Sequence, residues 1–310
     1  MTDKRIIFMG TPEISAFVLE GLISAGYNIV AVIAQPDRPV GRKKILEPVP
    51  TKVVAEAHNI PVYQPVKIRK EYEFVNELKP DLIITLAYGQ IVPQGLLDIP
   101  TFGCVNLHGS LLPKYRGAAP IQYALMNNDK ITGMTLMKMV KEMDAGEMYM
   151  TEEVEISPLD NSTSLFKKMG EAALKLILKA LPLYFDGKLP GIPQDESQVT
   201  FAPSIKPEEE KLDLSKTKEQ LFGMIRALSD VPGAYLYLDE LKFKVYQSQI
   251  VSDEIIGDIG EIVKADKKGL HLQTINGILS LESVQLEGKK RMDYTSFING
   301  QPHLLGKKLR

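Results

Sequence analysis

Up to Leu181 the chain alternates short continuous apolar runs with longer segments in which apolar residues recur every three or four positions. The first kind suits a strand buried on both faces, the second a helix with one apolar side. Ile6-Ile7-Phe8-Met9 reads as such a strand, followed by a turn at Gly10-Thr11-Pro12 and a helix bearing Phe17, Leu19 and Leu22 that stops near Gly26. Ile29 to Ala34 predicts a second strand, and helix Thr51 to His58 leads to Val62-Tyr63. Helix Tyr72 to Leu78 leads past Pro80 to the strongly apolar run Asp81 to Ala87; Gly103 to Leu107 and Met134 to Met139 follow as strands. A long helix from Ser164 to Leu181 carries Leu165, Phe166, Met169, Ala172, Ala173, Leu176 and Ala180 at helical spacing. Strands alternating with crossover helices predict a doubly wound, mostly parallel α/β sheet, a Rossmann-like domain.

Pro190, Gly191, Pro193 and the polar run Gln194 to Gln198 then interrupt the pattern. They suggest a domain over residues 1–189, a linker over 190–206 and a second domain over 207–310. After a short helix around Lys218 to Leu228, the second domain shows period-two alternation at Tyr235 and Tyr237, then at Phe243 and Val245, about an Asp239-Glu240 turn. Asn276-Gly277 is a hairpin signal between Leu270 to Thr274 and Ile278 to Leu281. With Gly260 to Val263, about five short strands result, which most economically close into a small barrel of the oligonucleotide-binding (OB) type. An open sandwich is the alternative.

Composition narrows the classes. At 310 residues, 44% hydrophobic and 25% charged, the chain is globular and long enough for two cores. A formal net charge of −2 means that any polyanionic partner must be met by a local basic patch. The single cysteine, Cys104, precludes an internal disulfide and favours a reducing, cytoplasmic setting. The apolar run behind the basic N-terminus ends at Gly10, too short for a signal peptide, and nothing approaches the roughly 20 apolar residues of a membrane span. The four histidines (His58, His108, His271, His303) and Cys104 show no ligand spacing, so no metal is expected. Gly10-Thr11-Pro12 sits where a dinucleotide fingerprint would sit, yet Gly-x-Gly-x-x-Gly is absent and Pro12 removes a donor.

Candidate chemistry lies in Cys104-Val105-Asn106-Leu107-His108, a strand whose alternation puts Asn106 and His108 on one face. At about 3.3 Å per residue they lie roughly 6.6 Å apart, near enough to converge on one small group; Cys104 on that face is roughly 13 Å from His108, too far for a thiolate–imidazole pair. Ligands of open α/β sheets bind beyond the carboxyl ends of the strands, where this segment meets Gly109. The same residues also fit a satisfied core asparagine and histidine. Asp144, in Met143-Asp144-Ala145-Gly146, is by itself an ordinary turn former. Gln35 to Pro50 reads as a long loop carrying Arg38, Gly41, Arg42, Lys43 and Lys44, either a polyanion contact or a solvated charged loop; Lys289-Lys290-Arg291 is a second basic cluster.

The uninterrupted run His108-Gly109-Ser110-Leu111-Leu112-Pro113-Lys114-Tyr115-Arg116-Gly117-Ala118-Ala119-Pro120 closely resembles the signature of the folate-dependent formyltransferases. Asn106 before it, and Asp144 with Gly146 after it, look like that family's Asn, His, Asp triad. Further likeness at Gly10-Thr11-Pro12-Glu13, Gln35-Pro36-Asp37-Arg38-Pro39, Ala87-Tyr88-Gly89 and Gly288-Lys289-Lys290 runs nearly end to end, and favours the branch that formylates initiator methionyl-tRNA. Relatives acting on a purine precursor lack the barrel. One departure is Ser229-Asp230-Val231-Pro232-Gly233, where family members often carry Trp before the Pro; this chain has no Trp.

The resemblance implies transfer of formyl from 10-formyltetrahydrofolate to the methionine amine of that tRNA, with a formyltransferase of a small amine as the alternative. It implies catalytic roles for Asn106, His108 and Asp144, and a folate border at Ser110, Leu111, Leu112 and Pro113. It implies tRNA contacts at Arg42, Lys43, Lys44, Lys289 and Lys290, and a monomer. Whether His108 donates to the formyl oxygen or takes the amine proton stays open at this level.

Overall fold

Ile6–Gly10 (β1) is buried at every position because layers cover both of its faces. In the computed structural model, which describes residues 3–40, 45–301 and 303–310, it is followed by helix α1 (Glu13–Ser24) and strand β2 (Ile29–Ile33). The stretch from Gln35 to Pro50, expected as a loop, instead holds a small antiparallel ribbon, β3 (Arg38–Val40) and β4 (Ile45–Glu47). Its pattern hid the strands because neither side of β4 is covered: Ile45 and Leu46 are both exposed. Helix α2 (Pro50–Ala57), β5 (Val62–Tyr63), α3 (Phe74–Leu78), β6 (Leu82–Leu86), α4 (Gln94–Leu97) and β7 (Cys104–His108) complete the wound part.

Helix α5 (Pro120–Met126) precedes an antiparallel hairpin, β8 (Ile131–Lys138) and β9 (Met148–Glu155). The sheet order is β5-β2-β1-β6-β7-β8-β9, parallel through β7 and antiparallel from β7 onwards. The mostly parallel sheet is thus present, with two antiparallel strands at one end. Strand β9 escapes a period-two reading because Glu152, Glu153 and Glu155 sit among its apolar residues and only Val154 is fully covered. Helix α6 (Ser162–Phe185) runs on past the predicted stop at Leu181, with Pro182 inside it. Its Met169, Ala173, Leu176, Ile177 and Ala180 are fully buried, as the helical spacing predicts.

The chain divides into two compact units, one of Met1–Gly117, Ile131–Glu155 and Phe166–Ala202, the other of Ala118–Lys130, Ile156–Leu165 and Pro203–Arg310. In the second, helix α7 (Lys218–Leu228) opens with a capping box in which Thr217 accepts from Gln220 N and Gln220 returns the bond. Strands β10 (Ala234–Leu238), β11 (Leu241–Ser252), β12 (Ile262–Asp266), β13 (Gly269–Thr274) and β14 (Gly277–Leu286) follow, ordered β10-β11-β14-β13-β12, with β15 (Met292–Asp293) beside β14 and helix α8 (Tyr294–Asn299) after it. Alternate residues fill one core: Ala234, Leu236, Leu238, Phe243, Val245, Leu270, Leu272, Leu279 and Leu281 are buried with Phe297 of α8.

The two outer strands do not end in open edges. Tyr237 and Arg310 exchange backbone bonds of 2.6 and 3.0 Å, while Ile262 N donates to Lys307 O at 2.8 Å and Gly306 N to Ile262 O at 2.9 Å. Leu309 N also donates to Gly260 O at 2.7 Å. Residues 306–310 therefore lie across the gap between β10 and β12 and close the antiparallel sheet.

Candidate active site

Strand β7 ends at the carboxyl edge of the sheet, and its alternation leaves Asn106 half-buried and His108 5% exposed. Thr85 of β6 lies opposite Asn106 in the parallel register. Its Oγ1 donates to Asn106 Oδ1 at 2.8 Å, with the Val105 carbonyl 3.1 Å away. That fixes the amide with its oxygen towards β6, and leaves Nδ2, its only donor, without an acceptor among the described residues. A half-buried neutral donor of this kind suits an oxygen that gains charge.

His108 faces an oxygen at each ring nitrogen. Nε2 lies 2.9 Å from the Tyr115 carbonyl oxygen, which can only accept, so Nε2 carries a hydrogen in this arrangement. Nδ1 lies 3.6 Å from Oδ1 of Asp144, in reach of an ion pair and long for a hydrogen bond. Asp144 comes from the connection between β8 and β9, with φ of 53°. Its other oxygen, Oδ2, accepts from Gly117 N at 2.8 Å. Gly117 has φ of 125°, and a Cβ there would stand 2.6 Å from the Ala202 carbonyl, so only glycine brings this N–H to the carboxylate. Asn106, His108 and Asp144, scattered over 39 positions of chain, are thus brought together.

The loop after β7 is shaped from below. Thr135 of β8 donates to the Ser110 carbonyl at 2.7 Å and accepts from Leu112 N at 3.2 Å. Ser110 is fully buried and spends its hydroxyl on the Lys114 carbonyl at 2.5 Å, so it sets the loop's shape; Leu112 is 6% exposed. Leu111 and Pro113 are the partly exposed members of that run. Gly133 makes room for Leu111, since a Cβ there would lie 2.6 Å from Leu111 Cδ2.

Cys104 takes no part. It is 3% exposed in an apolar cluster with Ile7, Met9 and Ile83, and burial pushes its thiol up to about 12, which keeps it protonated and unreactive. Arg42, Lys43 and Lys44 lie outside the described residues. Lys289 and Lys290 are exposed in the turn between β14 and β15; the neighbouring Arg291 pairs with Asp230 and lies 4.4 Å over the Tyr246 ring. Val231, the residue before Pro232, is 85% exposed, so its side chain fills no part of the core. Among the described residues no three His, Cys, Asp or Glu side chains gather in a way that could hold a metal ion.

Two contributors went unnoticed at the sequence level. Thr85 carried a signal, as the one polar residue of the buried run Leu82-Ile83-Ile84-Thr85-Leu86. Thr135 likewise sits alone in the apolar stretch Met134-Thr135-Leu136-Met137, 0% exposed.

Comparison with known proteins identifies the family. Residues 4–181 match the family described as formyl transferase, and residues 204–302 match the formyl transferase C-terminal domain. A methionyl-tRNA formyltransferase of Lactobacillus acidophilus is 47% identical over 298 residues, covering 96% of this chain and 95% of that one. A protein of the same name from Bacillus cereus is 46% identical over 308 residues, 98% of each chain. Among solved structures, the sugar 3N-formyl transferase WlaRD superposes with a TM-score of 0.67 at 16% identity, over 94% of this chain and 100% of that one. Aquifex aeolicus HypX in complex with tetrahydrofolic acid gives 0.67 at 16% identity, over 100% of this chain and 51% of that one. These two likenesses are ones of fold.

Proposed function

The chain belongs to the formyl transferase family across both of its domains, and from that membership we propose that it transfers formyl from 10-formyltetrahydrofolate to the amine of initiator methionyl-tRNA. The observation that carries the reading is the convergence of Asn106, His108 and Asp144, with the Asn106 Nδ2 unspent, in a chain 46–47% identical to methionyl-tRNA formyltransferases along nearly its whole length. The N-terminal Rossmann-like domain carries out the chemistry and the C-terminal antiparallel domain contributes to holding the tRNA.

The folate co-substrate fits this surface on two counts: an uncommitted amide donor, and partly exposed Leu111 and Pro113 as apolar wall for a flat heterocycle. When bound it supplies a formyl carbon already activated for attack. Attack by the methionine amine puts charge on the formyl oxygen and on the attacking nitrogen, so the site needs a donor for one and an acceptor for the other. Asn106 Nδ2 donates to the oxygen without itself changing charge, and Thr85 keeps it turned that way. With its hydrogen on Nε2, His108 can donate to the same oxygen; with the hydrogen on Nδ1, facing Asp144, its free Nε2 accepts the amine proton and the ring becomes an imidazolium. Asp144 faces Nδ1, where it orients the ring and balances the imidazolium. The single proton lost by the amine ends on the departing folate nitrogen, so the site is unchanged after each turnover.

Formyl transfer to charged initiator tRNA, run beside free methionine and other small amines, tests the function. Rapid formylation of the tRNA and none of the free amines is the expected result; the reverse preference would favour the alternative of a small-amine formyltransferase. For recognition we assign Arg42, whose guanidinium can bond a base edge and a phosphate in one fixed fork, together with Lys43, Lys44, Lys289 and Lys290 as phosphate contacts. Arg42→Ala should raise KM for tRNA about tenfold, the scale of one lost bidentate contact, while folate binding by fluorescence titration stays unchanged. Equal loss of both would remove Arg42 from that role. No helix among the described residues is long and apolar enough to cross a membrane; a cytoplasmic monomer completes the proposal.

A further inference from the structure

The segment that sequence pattern marks as a linker is bonded into the Asp144 turn. Gln194 Nε2 donates to the Asp144 carbonyl at 2.7 Å and to the Gly146 carbonyl at 2.8 Å, which uses both of its hydrogens. Its Oε1 accepts from Arg116 Nε at 3.0 Å. Arg116 is 3% exposed, and its NH2 nitrogen meets Glu196 at 2.7 Å. Arg116 also exchanges backbone bonds with the same segment, accepting from Ala202 N at 2.8 Å and donating to Thr200 O at 2.9 Å. Its chain neighbour is Gly117, whose N–H holds the Asp144 carboxylate. On the other side, Ile192 and Met148 exchange backbone bonds of 2.8 Å.

We infer that Gln194 is a positioning residue for Asp144. The backbone at Asp144 has φ of 53°, in the left-handed region, which side-chain-bearing residues enter at a cost that Asp bears more easily than most and that bonds from the surroundings offset. The Asp144 and Gly146 carbonyls, two residues apart, meet at one double donor, the Gln194 amide. The next turn is crowded: a Cβ on Gly146 would stand 1.9 Å from the Lys138 carbonyl, so the backbone has little freedom to reach the same place another way. Gln194 fixes the main chain, Gly117 fixes one carboxylate oxygen, and the other oxygen is left facing His108. Arg116 ties the two supports to each other. Without the amide, Oδ1 would wander from its 3.6 Å approach to the imidazole.

The inference rests on the catalytic reading of Asp144, and the test separates the two. Gln194→Glu keeps an oxygen for Arg116, so the 192–202 segment stays anchored, but it deletes both donors; Gln194→Met deletes them without adding charge. Each should lower kcat for formylation of methionyl-tRNA roughly ten- to hundredfold, the scale of a misplaced catalytic group, with KM for both substrates moving less than about twofold. Thermal melts of the folded variants accompany the kinetics. In an Asp144→Ala background neither substitution should lower kcat further, which a general loss of structure would not reproduce. Gln194 variants with parental kcat, or with an undiminished loss in the Asp144→Ala background, overturn the inference while leaving Asp144 in place. An Asp144→Ala enzyme as fast as the parent overturns the catalytic reading and the inference with it.

Discussion

Formyl transfer by an Asn106→Ala variant is expected to fall about 10²- to 10³-fold in kcat, with KM for tRNA and folate within a few fold of the parent. In the proposed mechanism the amide's one uncommitted donor meets the formyl oxygen only as charge develops there, so its removal should cost the transition state and spare the ground state. The fold should survive, because Asn106 is half-buried and Thr85, on losing its acceptor, still has the Val105 carbonyl 3.1 Å away. Asn106→Asp sharpens the test. It keeps the shape and the bond from Thr85 but presents a carboxylate to the nascent oxyanion, so it should be slower than the alanine variant. Single-turnover measurement with saturating substrates isolates the step; parental rates in both variants would strip Asn106 of the role.

The second large effect is expected at His108. His108→Ala should lower kcat about 10²- to 10⁴-fold, the range for a positioned proton donor or acceptor. Adding Asp144→Ala should then cost little more, because the carboxylate acts through the ring it faces and residues that act as a unit do not add. Since His108 is 5% exposed, urea unfolding of each variant checks that the lost activity is not lost fold. Additive losses in the double variant would mean that Asp144 works on the substrate directly and that the 3.6 Å approach to Nδ1 is incidental.

Much of this is legible in the amino-acid sequence. Buried strands such as Ile6–Gly10 and Leu82–Leu86 announce themselves because both faces need apolar side chains, and α6 because one stripe of it does. The meeting of Asn106 and His108 follows from the two-residue period of a strand. Features that rest on tertiary bonds left weaker traces. Strand β4 has no buried face, and β9 mixes three glutamates with its apolar residues. The Pro- and Gly-rich composition of 190–202 is that of a linker, since nothing in a polar run tells an exposed glutamine from one whose amide gathers two carbonyls. Thr85 and Thr135 were legible in principle, each a lone hydroxyl in an apolar strand, where burial without a partner would be costly.

The closure of the C-terminal sheet by residues 306–310 bears on how the chain is made. Until those residues emerge, the backbone groups of β10 and β12 that bond to them have no partner, and a bare strand edge is a template for pairing with another molecule. The hazard lasts for as long as strands β10 to β14 have paired without residues 306–310 across their seam. A chain interrupted before Gly306 would carry that seam permanently and would be removed by aggregation or proteolysis even with its N-terminal domain intact.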